Sequence, residues 1–243
     1  MTKVLIFAFL AGFSLILGVI IGTSFKISQK VIAAVMAFGS GVLICALTFG
    51  LMEEAFKHGG FDAVAIGFLI GGIVFIGGDF LIHRFGGRNY KKIKHYRIVK
   101  ETNGKAIVLG AVLDGIPESI ALGISLLSKN GIGLLMVTAI FLSNLPESIS
   151  SIDDLKIEGL SKKRIYLTWS VVSASVIVAT ILSFLFLENL NLNTIGIIES
   201  FASGAILAML ADSMIPEAYE EGGYLIGSLT ILGFLTAFIL SKL

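Results

Sequence analysis

Two short stretches set a proline beside a carboxylate inside long apolar runs: Asp114-Gly115-Ile116-Pro117-Glu118-Ser119-Ile120 and Ser143-Asn144-Leu145-Pro146-Glu147-Ser148-Ile149. Asp114 and Glu118 are four residues apart, and Asn144 and Glu147 three, spacings that put each pair on one helix face. Each proline lacks an amide hydrogen and strains the helix around it, leaving a carbonyl near Leu113 or Leu142 without its usual partner. Both stretches therefore offer side-chain oxygens and a backbone carbonyl at one level. Oxygen donors that converge from two neighbouring helices are what a divalent cation needs.

The cost of the arrangement points the same way. A charged carboxylate at the centre of a membrane span costs on the order of 3 kcal/mol by insertion scales. Two glutamates and an aspartate in adjacent spans cost several times that and repel one another. A dication at the junction offsets both penalties. Protonation is the other escape, so metal binding should compete with protons. The plain alternative, a kink whose glutamate bonds a nearby serine or tyrosine, explains one such stretch more readily than two.

The elements that must position these residues are membrane spans. Of 243 residues, 56% are hydrophobic and 14% charged, with mean hydropathy +0.95, against about 25% charged in a soluble domain. Apolar runs near the length of a bilayer crossing recur along the chain. Eight spans are expected, at about 4–23, 31–55, 62–83, 105–127, 131–152, 165–187, 195–218 and 224–241, and no soluble domain. The first reads as a retained span rather than a signal peptide, because Ser14, Gly18 and Gly22 line one face with small residues. Cys45 is the only cysteine; it reads as a small packing residue, and no intramolecular disulfide can form.

Charge orients the spans. The loops after spans one, three, five and seven hold fourteen lysines and arginines, half of them in the segment 84–104, against four on the other side. Basic residues collect on the cytoplasmic side, so both termini are expected outside a multi-pass cell-membrane protein. Topology accounts for the basic segment, and no nucleic-acid partner is expected.

The chain also repeats. Phe38-Gly39-Ser40-Gly41 leads to Glu54-Ala55-Phe56-Lys57-His58-Gly59-Gly60. Further on by 163 residues, Phe201-Ala202-Ser203-Gly204 leads to Glu217-Ala218-Tyr219-Glu220-Glu221-Gly222-Gly223. The copies fall in spans two and seven, which cross in opposite senses, as do spans four and five with their shared Pro-Glu-Ser-Ile. Three spans, a central pair and three more make an inverted repeat, an arrangement typical of transporters, with substrate bound near the midplane.

The central pair resembles that of the ZIP family of divalent-metal transporters, which carries His-Asn-x-Pro-Glu-Gly and then His-x-x-Pro-Glu. Asp114 stands where the family has its histidine, Gly115 where it has asparagine, and Glu118 at its glutamate. Asn144 and Glu147 occupy the polar position and glutamate of the fifth span, and Ser143 lies near its remaining ligand position. The resemblance implies an all-α integral membrane fold of eight transmembrane helices in a 3+2+3 inverted repeat. It also implies a metal site at Asp114, Glu118, Asn144 and Glu147, a homodimer, and delivery of Zn²⁺, Fe²⁺, Mn²⁺ or Cd²⁺ to the cytoplasm. Neither stretch contains histidine, and the sixth span has no acidic residue, so one well-formed site is expected rather than two. Carboxylate in place of imidazole shifts the donors toward hard cations. Asp212 and Glu217 are candidates for an exit route, and Glu54 for an outer vestibule.

No phosphate-binding loop with its lysine is present, so transport driven by ATP is not expected. The membrane lipid and the transported metal are the expected partners, with no resident cofactor. Two other classes are alternatives: a metal-binding sensor or scaffold without flux, and an intramembrane metal hydrolase. The second lacks a His-Glu-x-x-His pair, so an enzyme is not expected.

Overall fold

A computed structural model describes residues 1–86, 104–128 and 131–242. Among these residues the chain is all-helical, with no strand. The helices are α1 (Thr2–Ser24), α2 (Gln29–Cys45), α3 (Glu53–Gly86), α4 (Gly104–Ser125), α5 (Ile132–Ile157), α6 (Lys162–Leu187), α7 (Leu192–Met209), α8 (Ile215–Gly222) and α9 (Leu225–Leu240). A π-helical turn, Ala46–Met52, joins α2 to α3, and a second, Leu210–Met214, joins α7 to α8. Most of the basic segment expected at 84–104 lies outside the described residues.

Six stretches are long and apolar enough to cross a membrane: Thr2–Ser24, Gln29–Ile82, Ile107–Ser125, Ile132–Ile157, Lys162–Leu187 and Leu192–Gly222. The second runs to 54 residues, far beyond the roughly 20 that one crossing needs. Within it Gly60 takes φ 69° and ψ −168°, a conformation close to exclusive to glycine, so the helix direction breaks between the expected second and third spans. Gly223 does the same after α8, with φ 64° and ψ −144°, ahead of the shorter apolar α9. Polar caps start two helices: Ser161 Oγ accepts from Arg164 N at 3.4 Å before α6, and Asn191 Oδ1 from Thr194 N at 2.9 Å before α7.

The helices associate through small residues. Ala11, Ala37, Ala121, Ala139 and Ala202 are fully buried. Gly18 of α1 approaches the α5 backbone so closely that a Cβ there would collide with Leu145 O and Ser148 Oγ. Close approach of this kind drives association in lipid, where burying apolar side chains gains little. α3 packs along α7, α2 along α9, α1 along both α5 and α6, α4 along α6 and α7, and α2 along α5, while α4 and α5 meet centrally. The outer faces stay apolar and uncovered, with Ile73 67% and Ile231 68% exposed, as suits contact with lipid chains.

Candidate functional site

α4 and α5 run helical through Pro117 and Pro146 and carry their polar residues into the centre of the bundle. Glu118 is 2% exposed. Its Oε1 accepts from Ser143 Oγ of α5 at 2.9 Å, and its Oε2 is buried with no hydrogen-bond partner. Ser143 Oγ also lies 3.0 Å from Ile140 O, so one hydroxyl hydrogen serves two acceptors. Asn144, also buried, turns its amide to α1, where Nδ2 donates to Ala11 O at 3.3 Å.

Asp114 and Glu147 lie one step outward, half-buried, and both line a cavity of about 80 Å³. That exceeds several-fold what one water requires. The π turn Leu210–Met214 and α8 contribute Ser213 and Glu217 to the same cavity, and α5 adds Ser150, Ser151 and Asp154. Ser151 is buried, Glu217 half-buried and Asp154 exposed, so the polar lining runs from the bundle interior to the surface at the end of α5. Among the described residues the charged groups of this lining are all acidic: Asp114, Glu147, Asp154 and Glu217.

The four expected ligands are thus divided. Asp114 and Glu147 share the cavity, whereas Glu118 and Asn144 are engaged in helix packing beside it. Among the described residues, no three His, Cys, Asp or Glu side chains sit close enough together to hold a metal ion. Glu217, an expected pathway residue, reaches the cavity. Asp212, four residues before Pro216 in the π turn, is exposed and is not part of the lining. Glu54 lies elsewhere: its Oε1 accepts from Lys57 Nζ at 2.9 Å beside a separate cavity of about 540 Å³ between α2, α5 and α9.

Asp154, Ser150 and Ser151 were not among the expected site residues. Their spacing from Glu147, at three, four and seven residues, is one helix face, a pattern present in the sequence and masked by the usual role of an aspartate near a helix end. A second signal was also available. All three prolines of the chain, Pro117, Pro146 and Pro216, immediately precede a glutamate, and two of those glutamates, Glu147 and Glu217, line the cavity. A further polar contact without a local sequence signal joins α3 to α7, where His58 Nδ1 and Glu199 Oε2 are 2.9 Å apart.

Comparison with models of protein families finds no match, and comparison with curated proteins finds none either. The likeness to the ZIP family therefore rests on the residues themselves.

Proposed function

We propose that the chain is a divalent-metal transporter of the ZIP type, moving Zn²⁺, Fe²⁺, Mn²⁺ or Cd²⁺ across the cell membrane into the cytoplasm without ATP. The observation that carries this reading is the cavity to which α4, α5 and α8 bring the half-buried Asp114, Glu147 and Glu217, with the exposed Asp154 at its mouth. Carboxylates in such surroundings are costly, and a dication in transit offsets that cost. Glu118, one turn from Asp114 and buried beside the cavity with its Oε2 lacking a hydrogen-bond partner, would extend the path inward.

An eight-crossing inverted repeat is part of the proposal. It is supported by features 163 residues apart that behave alike: Gly60 and Gly223 share an unusual backbone conformation, and the two π turns fall in corresponding places. The packing pairs in the same way. A Cβ on Gly41 would collide with Thr230 O of α9, and one on Gly204 with Phe68 O of α3. Transporters built this way alternate access by shifting one repeat against the other around a central site.

The test is uptake into proteoliposomes holding the purified protein. Asp114→Ala combined with Glu147→Ala should reduce Zn²⁺ or Cd²⁺ uptake by at least about tenfold, as loss of metal partners commonly does, at equal amounts of folded protein in the liposomes. Uptake equal to wild type would refute the reading. Metal binding without any flux in the wild type would instead identify a sensor.

A further inference from the structure

The cavity of about 540 Å³ between α2, α5 and α9 shares no lining residue with the acidic one. Its volume lies within the roughly 300–1,000 Å³ of small-molecule sites, but it opens sideways into the apolar surface. Leu134 of α5 and Leu240 of α9 both line it, and both are 60% exposed. α5 and α9 each pack along α2, which supplies Phe38 and Val42 to the wall between them.

The charged groups of this groove gather at one end. Along α2 and its π turn come Phe38, Val42 and Phe49, and only then Glu53, Glu54 and Lys57; along α9, Ala237 and Leu240 precede Ser241 and Lys242. The two threonines of the apolar part turn their hydroxyls to their own helices, Thr138 Oγ1 donating to Leu134 O at 2.8 Å and Thr236 Oγ1 to Leu232 O at 2.7 Å. From Phe38 to Phe49 the apolar wall extends about 16 Å at helical rise. That is close to the ~15 Å hydrocarbon depth of one leaflet, half of a core about 30 Å thick. The charged end carries both signs. Lys57 Nζ lies 3.0 Å from Glu53 Oε1 and 2.9 Å from Glu54 Oε1, so one cation serves two carboxylates and that side is acidic in sum. On the α9 side, Lys242 Nζ is held over the rings of Phe49 and Phe238, 5.8 and 5.6 Å from their centroids.

We infer that this groove holds one zwitterionic phospholipid of the phosphatidylethanolamine type, its acyl chain along Phe38, Val42 and Phe49, its phosphate at Lys242 and its ammonium at Glu53. The inference goes beyond the transporter reading and does not depend on it, since it needs only that the bundle lie in a bilayer. The ammonium end of the lipid meets the acidic side of the rim and the phosphate meets the basic side. Hydrogen bonds between ionised partners are about twice as strong as neutral ones, and a primary ammonium has three N–H donors to give. A quaternary ammonium has no N–H for Glu53. A headgroup with no cation sets its phosphate beside two carboxylates that share a single lysine. Glu54, expected at an outer vestibule, belongs to this rim.

Native mass spectrometry of the purified full chain tests this. The protein is given equal amounts of phosphatidylethanolamine, phosphatidylcholine and phosphatidylglycerol and is then delipidated stepwise. Wild type should keep one phosphatidylethanolamine per chain after the other two are lost. Lys242→Gln, at an exposed position, removes the cation that meets the phosphate and should lower retention about fivefold. Glu53→Gln, also exposed, should abolish the preference for phosphatidylethanolamine over phosphatidylglycerol. Thr138→Trp fills the groove from an exposed position on α5 and should expel the lipid whatever its headgroup. Equal retention of the three lipids by wild type, retention of none, or retention unchanged in both Lys242→Gln and Thr138→Trp would overturn the inference. A dimer of the chain that carries no lipid and that Thr138→Trp dissociates would also overturn it, by giving the groove to a second copy. None of these outcomes bears on metal uptake, so the inference and the transporter reading stand or fall separately.

Discussion

His58 and Glu199 form the contact whose removal has the most direct consequence at the scale of single residues. Glu199 is 1% exposed, and His58 Nδ1 is the partner that its Oε2 meets at 2.9 Å. His58→Ala leaves a buried carboxylate without that partner, which costs about 1–3 kcal/mol and should lower the thermal midpoint in detergent. Adding Glu199→Leu removes the stranded group and should recover most of the loss, because deleting both partners is far cheaper than deleting one. A double variant no more stable than the single would show that the contact is not the cause. The sequence puts both residues at the same expected outer end of spans two and seven but does not pair them, since they are 141 residues apart and each has a bland explanation near a helix end. Asp114 with Glu118, by contrast, and Asn144 with Glu147, were legible from spacing alone. What spacing could not tell is that Glu118 turns to Ser143 and Asn144 to Ala11, because those choices depend on which helix packs alongside.

At the scale of elements, the breaks between spans carry as much information as the spans. Apolar runs marked the chain as all-helical, since length and hydropathy are local properties, but not where each helix ends: α3 begins at Glu53, inside the expected second span. The π turns were not legible, because a wider turn leaves no compositional mark and shifts the register of everything after it. The two glycine breaks lie between these cases: Gly60 and Gly223 stand out as repeat partners, but their positive φ is a property of the fold. A Cβ at either would meet no atom within 4 Å, so substitution tests backbone strain alone. Gly60→Ala and Gly223→Ala should each destabilise by about 1–3 kcal/mol. Gly77, inside α3 with equally open surroundings, is the control, and Gly77→Ala should be neutral or stabilise by about 0.5–1 kcal/mol. Unfolding midpoints of the three variants make the comparison. Equal effects at all three positions would mean that the breaks are not imposed by glycine, and that the correspondence of the two halves there is incidental.

For the whole molecule the question is which way the cavity opens. Its exposed end, at Asp154 near the C-terminus of α5, lies beside Lys156 and the lysines that begin α6. On the proposed transporter reading, the excess of basic residues would put that end at the cytoplasm and make the cavity an inward opening. Labelling tests this orientation directly because the chain has a single cysteine, Cys45, which is fully buried. Lys3, Lys30, Lys163 and Lys242 are exposed, and replacing each by cysteine adds one reactive thiol to a silent background. A membrane-impermeant maleimide applied to intact cells should label Lys3→Cys and Lys242→Cys, and should reach Lys30→Cys and Lys163→Cys only after permeabilisation. The opposite pattern would turn the acidic cavity to the outside, making it the mouth where metal is captured rather than the route by which it leaves. Labelling of Lys3→Cys and Lys242→Cys from opposite sides would rule out an even number of crossings and the inverted repeat with it, because only an even number returns the chain to the face where it began.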